Sequence, residues 1–119
     1  MIGRDLAARV VEQALNAASL RQQVLAHNLA NAMTPGFKRS RVDFETELAR
    51  ALAAGQSPDQ VRPVVVQETD SIGRSDGNNV DVEAESVKMA ANQIWYSALT
   101  RQISDHFNRL RLVITDGRG

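Results

Sequence analysis

The strongest constraint in this sequence is a pair of long stretches, one toward each end, that lack glycine and proline and repeat apolar residues at spacings of three and four. From Leu6 to Met33 the positions Ala8, Val11, Leu15, Ala18, Gln22, Leu25, Leu29 and Ala32 form a heptad seam. A second line, Leu6, Val10, Ala14, Ala17 and Val24, runs beside it and widens the stripe beyond what a two-stranded coiled coil requires. Near the other end, Met89, Asn92, Tyr96, Leu99, Ile103, Phe107, Leu110 and Ile114 make a second stripe, flanked by Val87, Ala91, Ile94 and Ala98, until Gly117. Helices of 28 to 35 residues would be about 42 to 52 Å long. Two of them in so short a chain predict an antiparallel pair or a fibrous assembly rather than a globule.

Composition supports helix on helix. The 119 residues are 43% apolar but only 4% aromatic, so alanine and leucine must do the packing. Fourteen basic residues balance fourteen acidic ones, which removes a general attraction for nucleic acid and permits self-association. With no cysteine, disulfides, thiolate metal sites and cysteine nucleophiles are excluded. Arg4, Asp5, Arg9 and Glu12 interrupt the apolar core a cleavable signal peptide would need, and no run approaches the roughly 18 apolar residues of a membrane span. The expectation is an unprocessed chain.

Between the helices the punctuation changes. Pro35 disfavours helical angles at Thr34, and Pro35-Gly36 suits the centre of a type II turn, so the first helix is expected to stop near Met33. The basic stretch Lys38-Arg39-Ser40-Arg41 reads as a solvated turn or as the complement of an acidic patch, such as Glu83 and Glu85, on a neighbour. Asp43 is expected to cap a short helix through Phe44, Leu48, Ala51 and Leu52. From Gly55 to Asn79 the chain is rich in turns, with one β-branched run, Val64-Val65-Val66, whose candidate partner within the chain is Gln67 to Ile72; a hairpin and an intermolecular strand both stay open. Asp81 follows as the N-cap of the last helix, with Glu83 and Glu85 in its first turn. The fold class expected is therefore mainly α: a single domain, residues 1–119, with an N-terminal helix (1–33), a middle of turn, short helix and loop or small β-hairpin (34–80), and a C-terminal helix (81–116), the long helices forming an antiparallel coiled coil.

No catalytic or metal constellation emerges. Placing Gly77 at the sixth position of a calcium loop puts Ile72 and Arg74 where oxygen ligands belong. His27 and His106 lack clustered partners, and scattered Ser, His and Asp residues do not assemble into a triad.

One string is far more specific. Asn28-Leu29-Ala30-Asn31, followed by Thr34-Pro35-Gly36-Phe37-Lys38, closely resembles the N-terminal signature of the flagellar rod, hook and related axial proteins; Met33, where that family often has Asn, departs from it. Asn28 and Asn31 share a helical face near its end, where their amides can bond the backbone of a chain that reverses at Pro35-Gly36. Asp76-Gly77-Asn78-Asn79-Val80-Asp81, with Met89, Asn92 and Tyr96, resembles the C-terminal half of the short proximal-rod members of the family. The resemblance implies a structural subunit, not an enzyme, that polymerises with itself and other rod proteins into a drive shaft around the export channel, with all of these residues serving signature or assembly roles. It also implies contacts with the rod-to-membrane-ring adaptor, the membrane ring and the export apparatus, a place in the periplasmic part of the basal body after export without a cleaved signal, and no cofactor, nucleic acid or small-molecule substrate. The alternative reading is a small helical adaptor or regulator that binds a partner helix.

Overall fold

The computed structural model describes residues 6–71 and 73–118. Arg4, Asp5 and Ile72, used above, lie outside them. In chain order the elements are helix α1 (Leu6–Ala30), strand β1 (Ser40–Asp43), helix α2 (Glu45–Ala53), a 3-10 turn at Pro58–Gln60, strand β2 (Val64–Gln67) and helix α3 (Val82–Arg118).

The long helices pair antiparallel, as the seam predicts: Asn28 meets Glu85, while Ala18 and Gln22 meet Asn92 farther along α3. The contact is built from small residues. Ala8, Ala18 and Leu25 of α1 and Ala32 in the turn after it are buried, as is Leu99 of α3. Small side chains allow close approach but bury little area each, so an exact fit of many contacts replaces the bulky core of a globule. At 37 residues, α3 outruns the 25 residues of α1. The molecule measures 69 × 31 × 15 Å. Its radius of gyration of 18.4 Å exceeds the about 13.5 Å of a compact chain of this length.

The second apolar line of α1 also has a use. Ala17, with Ala14 beside it, packs against Phe44, Leu48 and Ala51 of the α2 region and Val61 after the 3-10 turn. The width of the α1 stripe thus reflects two neighbours, α3 on one side and the middle segment on the other. Arg21 fastens the second contact, donating to the Val42 carbonyl at 2.8 Å and to Glu45 at 2.9 Å. Around the 3-10 turn, buried Asp59 pairs with Arg9 at 3.1 Å.

Four expectations about the middle and the last helix are corrected. The Val64–Val66 run pairs with residues 40–43, not with Gln67 to Ile72: β1 and β2 form an antiparallel two-stranded sheet with Arg41 opposite Val66 and Asp43 opposite Val64. The polar appearance of Ser40–Asp43 concealed a strand of which only Val42 is buried. Asp43 does not cap α2, because it belongs to β1 and receives Arg41 at 3.0 Å, leaving Phe44 at the cap without a side-chain bond. Finally, α3 continues through Gly117 to Arg118; a glycine costs a helix only about 1 kcal/mol and ends it only where a left-handed turn follows. Regular α1 stops at Ala30, with turns continuing through Met33.

Among the described residues no helix is long and apolar enough to cross a membrane.

Candidate functional site

The two signature segments meet at one end of the helix pair. The first element is the turn itself. Gly36 takes a φ of +76° and the Phe37 amide donates to the Thr34 carbonyl at 3.2 Å, the geometry of a type II turn with Pro35 and Gly36 at its centre. Asn31 ties the helix end locally, its amide donating to the His27 carbonyl at 2.9 Å and its carbonyl oxygen accepting the Thr34 hydroxyl at 3.1 Å. Phe37 closes back edge-on against the His27 ring, with centroids 5.6 Å apart.

The second segment docks onto this turn. The Gly36 amide donates to the Asp76 carbonyl at 2.8 Å. Gly77, at φ +85°, lies so close that a β-carbon there would sit 3.5 Å from the Gly36 α-carbon. Asn78 is fully buried and acts as a clamp. Its Nδ2 donates to the carbonyls of Asn31, Ala32 and Thr34 at 2.9, 3.1 and 2.8 Å, while its Oδ1 accepts the Val80 amide at 2.8 Å. These carbonyls lie where α1 runs out of intrahelical donors, so a side chain from elsewhere in the chain supplies what the helix end lacks. Arg74 reinforces the clamp from outside, donating to the carbonyls of Val80 and Ala32. Val80 is buried, and Asp81 caps α3 by accepting the Ala84 amide at 3.1 Å.

Beneath the turns lies a buried polar knot. Asn28 is inaccessible to solvent; its Oδ1 accepts the Ser40 amide at 3.0 Å, and its Nδ2 donates to the Ser40 carbonyl at 2.8 Å and to Glu85 Oε1 at 2.6 Å. One amide side chain thus bonds β1 as a neighbouring strand would and reaches α3 as well. Glu85, only 1% exposed, also receives Arg39 Nε on both oxygens at 3.1 Å, and Arg39 Nη1 reaches Glu68 at 2.6 Å. Asn79 completes the frame: its Oδ1 accepts the Arg39 amide at 2.6 Å and its Nδ2 donates to the Glu68 carbonyl at 2.7 Å. Burial would lower the Arg39 pKa, but its bonds to Glu68 and Glu85 outweigh burial and raise it. For Glu68, burial pushes upward, yet Arg39 and Arg41 hold the carboxyl below the ordinary glutamate range.

The basic stretch is therefore not the solvated turn expected of it, since Arg39 is buried, and Glu85 is answered within the chain rather than by a neighbour. The other signature positions scatter. Asn92 lies farther along the seam, donating to the Ala18 carbonyl and to Gln22, both at 2.8 Å. Leu29, Lys38 and Met89 are half-buried; Ala30, Pro35 and Tyr96 are exposed. His27 and His106 sit at opposite ends of the pair, His106 against Phe107. Sequence reasoning passed over Glu85, Arg39 and Glu68 as members of one network. The signal available for Glu85 was its spacing, because Glu85, Asn92, Leu99 and His106 recur every seven residues on the seam.

A groove of about 470 Å³ beside the knot is lined by Arg21, Val24, Arg41, Lys88, Ala91 and Trp95, among others. The carboxylates bordering it, Glu45 and Glu68, are held by Arg21 and Arg39. Among the described residues, no group of His, Asp and Glu is placed to hold a metal ion. The network joins the end of α1, the start of α3 and the small sheet into one block.

The outer face of α3 is different. Val87, Ile94, Trp95, Leu112 and Val113 are all largely exposed, with Ile94 at 73%. Arg101, Asp105 and Asn108 separate the first three of these from the last two, and Trp95 also borders the groove.

Comparison with known proteins agrees with the helix, the turn and the whole chain. Residues 9–38, which are α1 and the first turn, match the family model described as flagella basal body rod protein. The flagellar basal body rod protein FlgB of Bacillus subtilis is 34% identical over 91% of this chain and 92% of its own length. The FlgB proteins of Borrelia hermsii and Escherichia coli are 33% and 32% identical, covering 92% and 90% of this chain and 96% and 94% of their own. The chain belongs to the FlgB family of flagellar basal body rod proteins.

Proposed function

We propose that this chain is a structural subunit of the proximal flagellar rod, that residues 1–119 act as one domain, and that copies polymerise with other rod proteins into a shaft. The observation that carries this reading is the similarity to FlgB proteins over nearly the full chain, joined to an α3 whose outer apolar residues have no cover within the described chain. Contacts of that kind between different surfaces of successive copies build a filament or tube when the rotation between copies does not close into a ring.

The finer parts of the proposal follow from the family. The shaft transmits torque and encloses the export channel, in the periplasm, after export without a cleaved signal. Its neighbours are other rod proteins, the rod-to-membrane-ring adaptor, the membrane ring and the export apparatus. In this reading the signature residues shape the block that presents α3 to its neighbours, and the chain performs no catalysis.

Deleting the gene and imaging basal bodies by electron microscopy tests the proposal. Loss of the rod and of motility is expected, with recovery when the gene is supplied in trans. Intact rods in the deletion strain would overturn it.

A further inference from the structure

A seam made of alanine and leucine has a weakness that the buried knot remedies. Along α3 the inward positions repeat with a period of seven, Glu85, Asn92, Leu99 and His106, and α1 offers alanine repeatedly, at Ala8, Ala17 and Ala18. Sliding one helix by seven residues, about 10.5 Å, returns side chains of the same face to the contact. The apolar packing discriminates less sharply than buried charge does, because apolar residues recur along both sides of the seam. Hydrogen bonds do discriminate.

In the observed register, Glu85 accepts from Asn28 at 2.6 Å and from Arg39 at 3.1 Å, and Asn92 donates to the Ala18 carbonyl at 2.8 Å. In the slipped register Asn92 takes the place of Glu85 beside Arg39, and Leu99 takes the place of Asn92. Arg39, 9% exposed at its side chain, then keeps only Glu68, and the guanidinium face now on Glu85 meets an uncharged amide. Breaking a buried ion pair disfavours the slipped state by about a hundred- to several-thousand-fold.

We propose that Asn28, Arg39 and Glu85 are a register lock, whose role is to select one alignment of α1 against α3 rather than to add stability. A buried polar group in an apolar seam selects register because every other alignment leaves it unpaired. Alignment matters outside the seam as well, since it decides how far α3 extends past α1 and where Val87, Ile94 and Trp95 stand relative to the block at the turns.

The absence of native cysteine makes the test clean. Ser19 and Gln93 line one cavity across the two helices, so Ser19→Cys with Gln93→Cys, joined by a short bismaleimide, reports the native register. Ser19→Cys with Thr100→Cys reports the register slipped by seven. With the knot intact, the first pair is expected to crosslink and the second is not. Asn28→Leu, Arg39→Leu and Glu85→Leu are added to an Asn78→Ala background, because the Asn78 clamp also ties the start of α3 to the end of α1; helix content is expected to be preserved while the second pair gains crosslinking to at least a tenth of the first, a gain that Asn78→Ala alone does not give. A second variant in the same Asn78→Ala background, Glu85→Asn with Asn92→Glu, moves the carboxylate one heptad and is expected to shift crosslinking toward Thr100→Cys. Native-only crosslinking in both variants would overturn the proposal. So would loss of the fold in both, because the knot would then carry stability instead of alignment.

Discussion

Asn78 concentrates more of this structure than any other single side chain. It is fully buried and satisfies three carbonyls at the end of α1 while its own oxygen holds Val80. Replacing it with alanine leaves each of those carbonyls one remaining donor, the Thr34 amide, Arg74 and the Phe37 amide in turn, and takes from the buried Val80 amide its acceptor, a loss of about 1 to 3 kcal/mol for such a group. Asn78→Ala is expected to lower the urea midpoint accordingly, with the slope of the transition unchanged. Gly73 makes a steric demand at the same place: a β-carbon there would overlap the Asn78 carbonyl oxygen and press on the Asn79 backbone. Because backbone rather than a flexible side chain must move, Gly73→Ala is expected to destabilise the chain more than alanine at the unencumbered, positive-φ Gly55, a comparison that paired denaturation curves decide. The importance of Asn28 and Asn31 was legible from the signature string. That of Arg39 and Glu85 was not, since a basic residue in a polar tetrapeptide and an acidic residue in a first helical turn both have ordinary solvated explanations.

At the scale of elements, the small sheet shows how weak local signals combine. Neither four-residue strand would persist alone. β1 is bonded on its outer side by Asn28 and Arg21 and on its inner side by β2, so side chains of α1 serve as its second neighbour. Glu68, just after β2, joins the sheet to Arg39, and this gives the contact a pH dependence. Because Arg39 and Arg41 hold the folded carboxyl below its ordinary value, the contribution is present above the unfolded glutamate pKa of about 4.3 and is lost as pH falls through the lower folded value. Glu68→Gln is therefore expected to melt lower than the parent at pH 7, with the gap closing as pH falls below about 4.3 in a series of thermal melts. A gap that does not narrow in acid would remove the charge from the explanation. The strand partner escaped sequence reasoning for a related reason: Ser40–Asp43 alternates weakly, with one buried valine, whereas pairing depends on a chain reversal that only the folded middle segment creates.

At the scale of the molecule, the long antiparallel pair leaves exposed apolar residues on α3 that its own α1 does not cover. Ile94, at 73% exposure, is one of them. Substitution at such a site is worth within about 0.5 kcal/mol to the isolated chain, so Ile94→Lys is expected to leave the monomer melt unchanged while failing to restore motility to a deletion strain. Restored motility would remove this face from assembly.

The amino-acid sequence by itself determined the two long helices, their apolar stripes, the turn at Pro35-Gly36, the cap at Asp81 and the family. These follow from local periodicity and local backbone geometry, which a linear string records. Tertiary structure alone decided that Arg39 and Glu85 are buried together, that Asn78 closes the end of a helix 46 residues away in sequence from Ala32's carbonyl, and that β1 exists at all. Burial and pairing are properties of what the folded chain brings alongside a residue, and a charge has the same letter whether it ends in water or in a salt bridge.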